Sequence, residues 1–157
     1  MDKSATQWMV EPLKKYATFS GRARRKEYWW FQLFLILATL LAFCVDVMLN
    51  GLDAMIAGAT GYAGALVSLA LFLPGLAVAV RRLHDTDRRG WWLLMPGIPA
   101  VILGGAAGAT AVGVEGAGKW LAAGGLLLGI VSVLLIVWYC SRGTIGENRF
   151  GPDPIGE

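Results

Sequence analysis

Near the middle of the chain, Arg81-Arg82-Leu83-His84-Asp85-Thr86-Asp87-Arg88-Arg89-Gly90-Trp91-Trp92 forms the densest run of ionisable side chains. A long apolar segment ends just before it and another begins at the tryptophan pair. His84 and Asp85 are adjacent, with Asp87 close by, at a polar–apolar boundary of the kind that can tune a general acid–base pair. The plainer role for such a histidine is to end a helix at an interface. The sequence provides no metal-ligand set, because one histidine and two remote cysteines, Cys44 and Cys140, do not make a zinc site. It contains no nucleophile-elbow, phosphate-loop or paired-glycine nucleotide motif, so no catalytic group, cofactor or metal is assigned.

Arginine offers a second chemistry. Arg22, Arg24, Arg25, Arg81, Arg82 and Arg149 lie in three segments expected on one membrane face, with Glu27, Asp85, Glu147 and Asp153 in the same segments. The planar guanidinium fork grips carboxylate and phosphate alike. The cluster can therefore knit the segments into a cap, bind anionic lipid headgroups, or do both. His84 and Asn148 belong to the same candidate set.

Long apolar segments must position these residues. Of 157 residues, 56% are hydrophobic and only 16% charged, with 21 glycines; mean hydropathy is +0.57. Soluble domains carry about 25% charged residues, so this composition indicates an integral membrane protein. Four spans are expected, at about 28–49, 62–80, 91–112 and 120–140, each long enough for a layer of about 30 Å at about 1.5 Å per residue. Residues 1–27 form a basic leading segment and 141–157 a polar tail, which leaves no room for a soluble catalytic domain. Pro12 is placed to open a short interfacial helix with Leu13, Tyr16 and Ala17 on one face. Pro74-Gly75 should kink the second span, and Pro96, Gly97 and Pro99 should break the third.

Charge gives the threading. Lys3, Lys14, Lys15 and the arginines before residue 27 share a side with the central arginines and with Arg142 and Arg149, while Lys119 falls opposite. Positive residues are retained in the cytoplasm, so both termini should be cytoplasmic. Trp29, Trp30, Trp91, Trp92 and Trp138 fall at inner ends. The net charge of +3 borders apolar runs instead of forming one stripe, which favours the membrane surface over nucleic acid as its counterpart.

Three features bear on the alternatives. Asp46 lies about 27 Å along a straight helix from Tyr28, near the outer headgroups where water reaches it, which weakens its claim as a transport carboxylate. Cys44 and Cys140 sit at opposite ends of their spans, too far apart for a disulfide, and are expected to be buried apolar thiols. Gly104-x-x-x-Gly108 and Gly125-x-x-x-Gly129 allow close helix approach, within one chain or in a homo-oligomer.

Phe19-Ser20-Gly21-Arg22-Ala23-Arg24-Arg25-Lys26-Glu27-Tyr28-Trp29, the run Arg81-Arg82-Leu83-His84-Asp85 before Gly90-Trp91-Trp92, and the tail Gly143-Thr144 with Gly146-Glu147-Asn148-Arg149-Phe150-Gly151-Pro152-Asp153-Pro154 stand in that order. Together they resemble the three signatures of a bacterial inner-membrane family, domain of unknown function 805. Arg89 stands where that family commonly has serine and Ile145 where it has proline, and the apolar stretch before the tail is longer than is common. The resemblance implies a multi-pass protein of the bacterial cytoplasmic membrane and supplies no activity.

The expectation is thus an all-α, four-span inner-membrane protein, both termini cytoplasmic, with a basic cytoplasmic cap. Its favoured role is a non-enzymatic, lipid-interacting one with anionic phospholipid as partner. A small-solute or ion transporter is the second reading, and a lipid-acting enzyme using His84 and Asp85 the third.

Overall fold

The computed structural model describes residues 4–155; Lys3, counted above in the basic leading segment, lies outside them. Among the described residues six α-helices follow one another: α1 (Ala5–Lys14), α2 (Arg25–Asn50), α3 (Leu52–Ile56), α4 (Tyr62–Asp85), α5 (Gly97–Ala111) and α6 (Ala117–Cys140), with a 3₁₀ turn at Gly90–Leu94 before α5. Four segments, Arg25–Asn50, Tyr62–Asp85, Gly90–Ala111 and Ala117–Cys140, are long and apolar enough to cross a membrane. Most of their large apolar side chains point outward, among them Leu41, Met48, Leu69, Val101 and Leu126. An outward apolar surface suits a chain whose surroundings are lipid.

α2 packs on α4, and α5 on α6. Where the basic ends of the helices converge, Tyr28 and Phe31 of α2, Val78, Ala79 and Leu83 of α4, and Val131, Leu135 and Tyr139 of α6 form one buried cluster. Tyr28 stacks on Tyr139 with ring centroids 4.5 Å apart. Trp92, from the 3₁₀ turn, meets Trp138 edge-on at 5.5 Å.

Several expectations change. α4 does not end at residue 80 but continues as helix to Asp85. Arg81, Arg82, His84 and Asp85 therefore project from its last turns, where polar partners replace lipid. Pro12 does not open a helix: α1 starts at Ala5 behind a Ser4 cap, and Pro12 lies inside it. Ser4 Oγ accepts the Gln7 N–H at 3.3 Å and Gln7 Oε1 accepts the Ser4 N–H at 2.8 Å, a reciprocal cap that satisfies two orphan donors.

Tyr16 lies beyond the end of α1, and its hydroxyl donates to the Ala70 carbonyl at 2.6 Å. That carbonyl is the one Pro74 leaves without an N–H four residues on, since proline carries none. The leading segment thus repairs the backbone defect that lets proline sit inside α4.

Asp46 lies near the end of α2 remote from the basic cluster, but is only 1% exposed instead of wet. Its carboxylate accepts the N–H groups of Ala63 at 2.8 Å and Gly64 at 2.7 Å, capping the N-terminus of α4 from a neighbouring helix. The preceding Gly61 offers no side-chain cap, and a Cβ there would lie 2.6 Å from Asp46 Oδ2. Glycine clears the space, and the carboxylate meets the positive end of the helix dipole.

Both cysteines are free and exposed, not buried. Gly104, Gly108, Gly125 and Gly129 would meet nothing within 4 Å if given a Cβ, so none of them makes a close approach within this chain. Gly124 does: its Cβ would lie 3.0 Å from Leu103 and 3.1 Å from Ile102 of α5.

Candidate functional site

Five buried ionisable side chains gather at the C-terminal end of α4: Arg22, Glu27, Arg81, Arg82 and Asp85. Arg22 comes from the turn before α2, Glu27 from its first turn, and the other three from α4. The Ala23 N–H donates to the Arg81 carbonyl at 3.0 Å, tying that turn to α4 through backbone.

Asp85 joins two of the arginines. Its Oδ1 accepts Arg22 Nε at 3.0 Å, and its Oδ2 accepts Arg82 Nη1. Each guanidinium then reaches onward to backbone. Arg22 donates to the carbonyls of Gly146 at 2.6 Å and Thr144 at 2.5 Å. Arg82 donates to Tyr139 at 3.1 Å and also to Ser141, closing carbonyls at the end of α6. The tail answers through Thr144, whose N–H donates to the Asp85 carbonyl at 2.8 Å. A Cβ on Gly143 would collide with the Asp85 carboxylate, so only glycine lets the tail pass this close.

Arg81 is poorer in partners. Its Nη1 donates to Glu27 Oε1 at 2.7 Å, while its Nε and Nη2 are buried without a hydrogen bond. The buried group holds three guanidiniums against two carboxylates.

His84 sits beside this network. Its Nδ1 lies 3.2 Å from the Gly21 carbonyl, which places the ring proton on that nitrogen. The imidazole stacks flat on Phe150 at 3.9 Å. Both Asp85 oxygens are spent on arginine, and the carboxylate makes no hydrogen bond to His84. No group of three His, Cys, Asp or Glu side chains suited to a metal ion occurs among the described residues.

The remaining candidates take other positions. Asn148 holds the tail down, donating to the His84 carbonyl at 3.0 Å and to Thr144 Oγ1 at 2.8 Å. Arg149 pairs at the surface with Asp87, at 3.0 Å, a residue bent into the left-handed region at φ 55°. Asp153 braces the tail turn instead of pairing with arginine: the N–H groups of Ile155 at 2.9 Å and Gly146 at 3.0 Å hold its carboxyl below the usual carboxylate range. Arg24 lies over the Trp8 ring at 5.9 Å, and Arg25 donates to the Cys140 carbonyl at 3.3 Å. Glu147 is exposed and pairs with no arginine among the described residues. Residue types alone did not point to Thr144, Gly143, Gly21 or Phe150, although each lies inside one of the three signature segments.

Four membrane-length helices and a buried ionic network at one end define an all-α membrane protein. The chain belongs to the family described as "Protein of unknown function (DUF805)", which it matches over residues 16–152. It is 38% identical over 148 residues to inner membrane protein YhaI of Escherichia coli strain K12, covering 94% of this chain and 95% of that one. To inner membrane protein YhaH of the same strain it is 40% identical over 147 residues, with the same coverage. To uncharacterized protein YiiR it is 30% identical over 141 residues, 87% of this chain and 85% of that one. No solved structure matches. The chain is accordingly a bacterial inner-membrane protein.

Proposed function

We propose that the chain is a non-enzymatic, lipid-interacting membrane protein. In this reading the Arg22–Asp85–Arg82 network, with Arg81 and Glu27, is a structural cap on its cytoplasmic side. The observation that carries this is the sharing of one buried carboxylate by two arginines that also close backbone carbonyls after α6. A group so fully committed to the fold is spent on holding segments together. The charge asymmetry supports the sidedness, since Lys119 is the basic residue left at the opposite end.

Two observations on the candidate residues of the other readings support this one. Asp46, the carboxylate a transporter would use, is occupied in capping α4. His84 shares no hydrogen bond with the Asp85 carboxylate.

The test is Arg82→Lys against Arg88→Lys. Both substitutions keep the charge that orientation needs, but lysine lacks the fork that serves Asp85, Tyr139 and Ser141 together. Arg88 donates to the Thr86 carbonyl at 3.1 Å and lies over Trp138 at 4.5 Å, so its replacement should be mild. Thermal stability in detergent, with and without anionic lipid, should fall markedly for Arg82→Lys alone. Small and equal effects of both would remove the cap.

A further inference from the structure

We propose that the groove between the first turns of α2 and the end of α6 binds one anionic phospholipid. Arg25, Lys26, Trp29, Trp30, Leu33 and Cys140 line it, and its volume is about 630 Å³. The inference deepens the lipid-interacting half of the proposed function, and rests on it and on the cytoplasmic sidedness of the network.

The order of side chains along α2 is the first argument. Residues four apart share a helix face, so Arg25, Trp29 and Leu33 form one descending row, with Lys26 and Trp30 beside it. Cation, indole and aliphatic side chain follow one another in the order of phosphate, glycerol and acyl chain in a lipid leaflet. Trp29 and Leu33 are exposed, and the apolar row continues outward-facing through Ile36, Leu37 and Leu40.

Charge is the second argument. Arg25 spends one N–H on the Cys140 carbonyl, and the residue is exposed. Glu27, the acid of the same helical turn, is buried against Arg81. The carbonyls of Tyr139, Cys140 and Ser141, the negative end of α6, are covered by Arg82 and Arg25. Behind them the buried network holds three guanidiniums and two carboxylates, so the wall of the groove is positive in sum. A monoanionic phosphodiester with two acyl chains matches this surface. A free phosphate would leave the apolar row unused.

The full chain is reconstituted in bilayers of three parts phosphatidylcholine to one part phosphatidylglycerol and extracted in neutral detergent. Co-purifying lipid is then counted by mass spectrometry. The wild type should retain phosphatidylglycerol above its bulk fraction. Arg25→Gln should cut that enrichment about five-fold, the equivalent of roughly 1 kcal/mol for one basic residue at an anionic surface. Leu33→Trp, which narrows the groove and leaves every charge and hydrogen bond in place, should also lower it, without lowering thermal stability in lipid-free detergent. Added inorganic phosphate should not displace the lipid. Wild-type enrichment in either variant, or displacement by phosphate, overturns the site. Arg82→Lys separates the two claims: if it destabilises the lipid-free protein while the groove variants keep their lipid, the cap stands and the groove falls.

Discussion

Replacing Glu27 by glutamine should destabilise the protein more than replacing Asp85 by asparagine, although Asp85 makes more bonds. Arg81 has a single partner: Glu27 Oε1 at 2.7 Å, with both side chains at or below 5% exposure. Its other donors, Nε and Nη2, are already unpaired. Breaking a buried pair by removing one partner costs about 3–5 kcal/mol, and Arg81 has no second acceptor to soften the loss, so Glu27→Gln belongs near the upper end of that range. Asp85→Asn strips two guanidiniums, but each keeps backbone acceptors, Gly146 and Thr144 for Arg22, and Tyr139 and Ser141 for Arg82. The loss there should approach that of one hydrogen bond to a charged group, about 1.5–3 kcal/mol. Unfolding free energies from sodium dodecyl sulfate titration in mixed micelles, followed by circular dichroism, measure both. The combined Arg81→Met and Glu27→Leu variant should recover most of the stability, because an apolar pair carries no buried charge. Asp85→Asn exceeding Glu27→Gln, or a double variant as unstable as Glu27→Gln alone, would refute the reasoning.

Other consequences follow from individual contacts. Tyr16→Phe leaves the Ala70 carbonyl without the donor that replaces the missing Pro74 N–H, at a cost of about 1–3 kcal/mol. In a Pro74→Ala background the same change should be nearly neutral by the same titration, since alanine restores the N–H. Asp46→Ala removes the cap on α4 and should cost about 0.5–2 kcal/mol, which a near-silent result would contradict. After Cys44 and Cys140 are replaced, single cysteines at Asp53 and Glu115 should react with an impermeant thiol reagent in intact cells. One at the exposed Glu147 should not, and its labelling would reverse the threading.

The membrane-length helices were legible because unbroken apolar composition is a local property of the chain. Where α4 ends was not. Hydropathy stops at Arg81, but the helix runs to Asp85 because Arg22 and the tail supply the partners water would otherwise give. Asp46 misled for a related reason: its place near the end of α2 follows from counting residues, whereas its burial depends on Ala63 and Gly64 of another helix. The glycine spacings indicated where helices can approach without saying which face turns inward, and Gly124, outside both motifs, makes the close contact. Within the site, complementary charge pointed to Arg22, Arg81, Arg82, Glu27 and Asp85, which the structure buries. It also pointed to Glu147, which shares their charge chemistry but lies on the exposed side of its turn. The carbonyls that take most of the arginine hydrogen bonds have no signature in residue type at all.

Amide hydrogen exchange on the wild-type chain in lipid bilayers is the most direct test of the account. If the network locks the leading segment and the tail to α4, the N–H groups of Ala23 and Thr144, bonded to the Arg81 and Asp85 carbonyls at 3.0 and 2.8 Å, should exchange slowly. They should be protected far above the amides of the exposed residues Arg142 and Glu147, and Arg22→Gln should release Thr144. A Thr144 amide that exchanges as fast as Glu147 in the wild type would contradict the account.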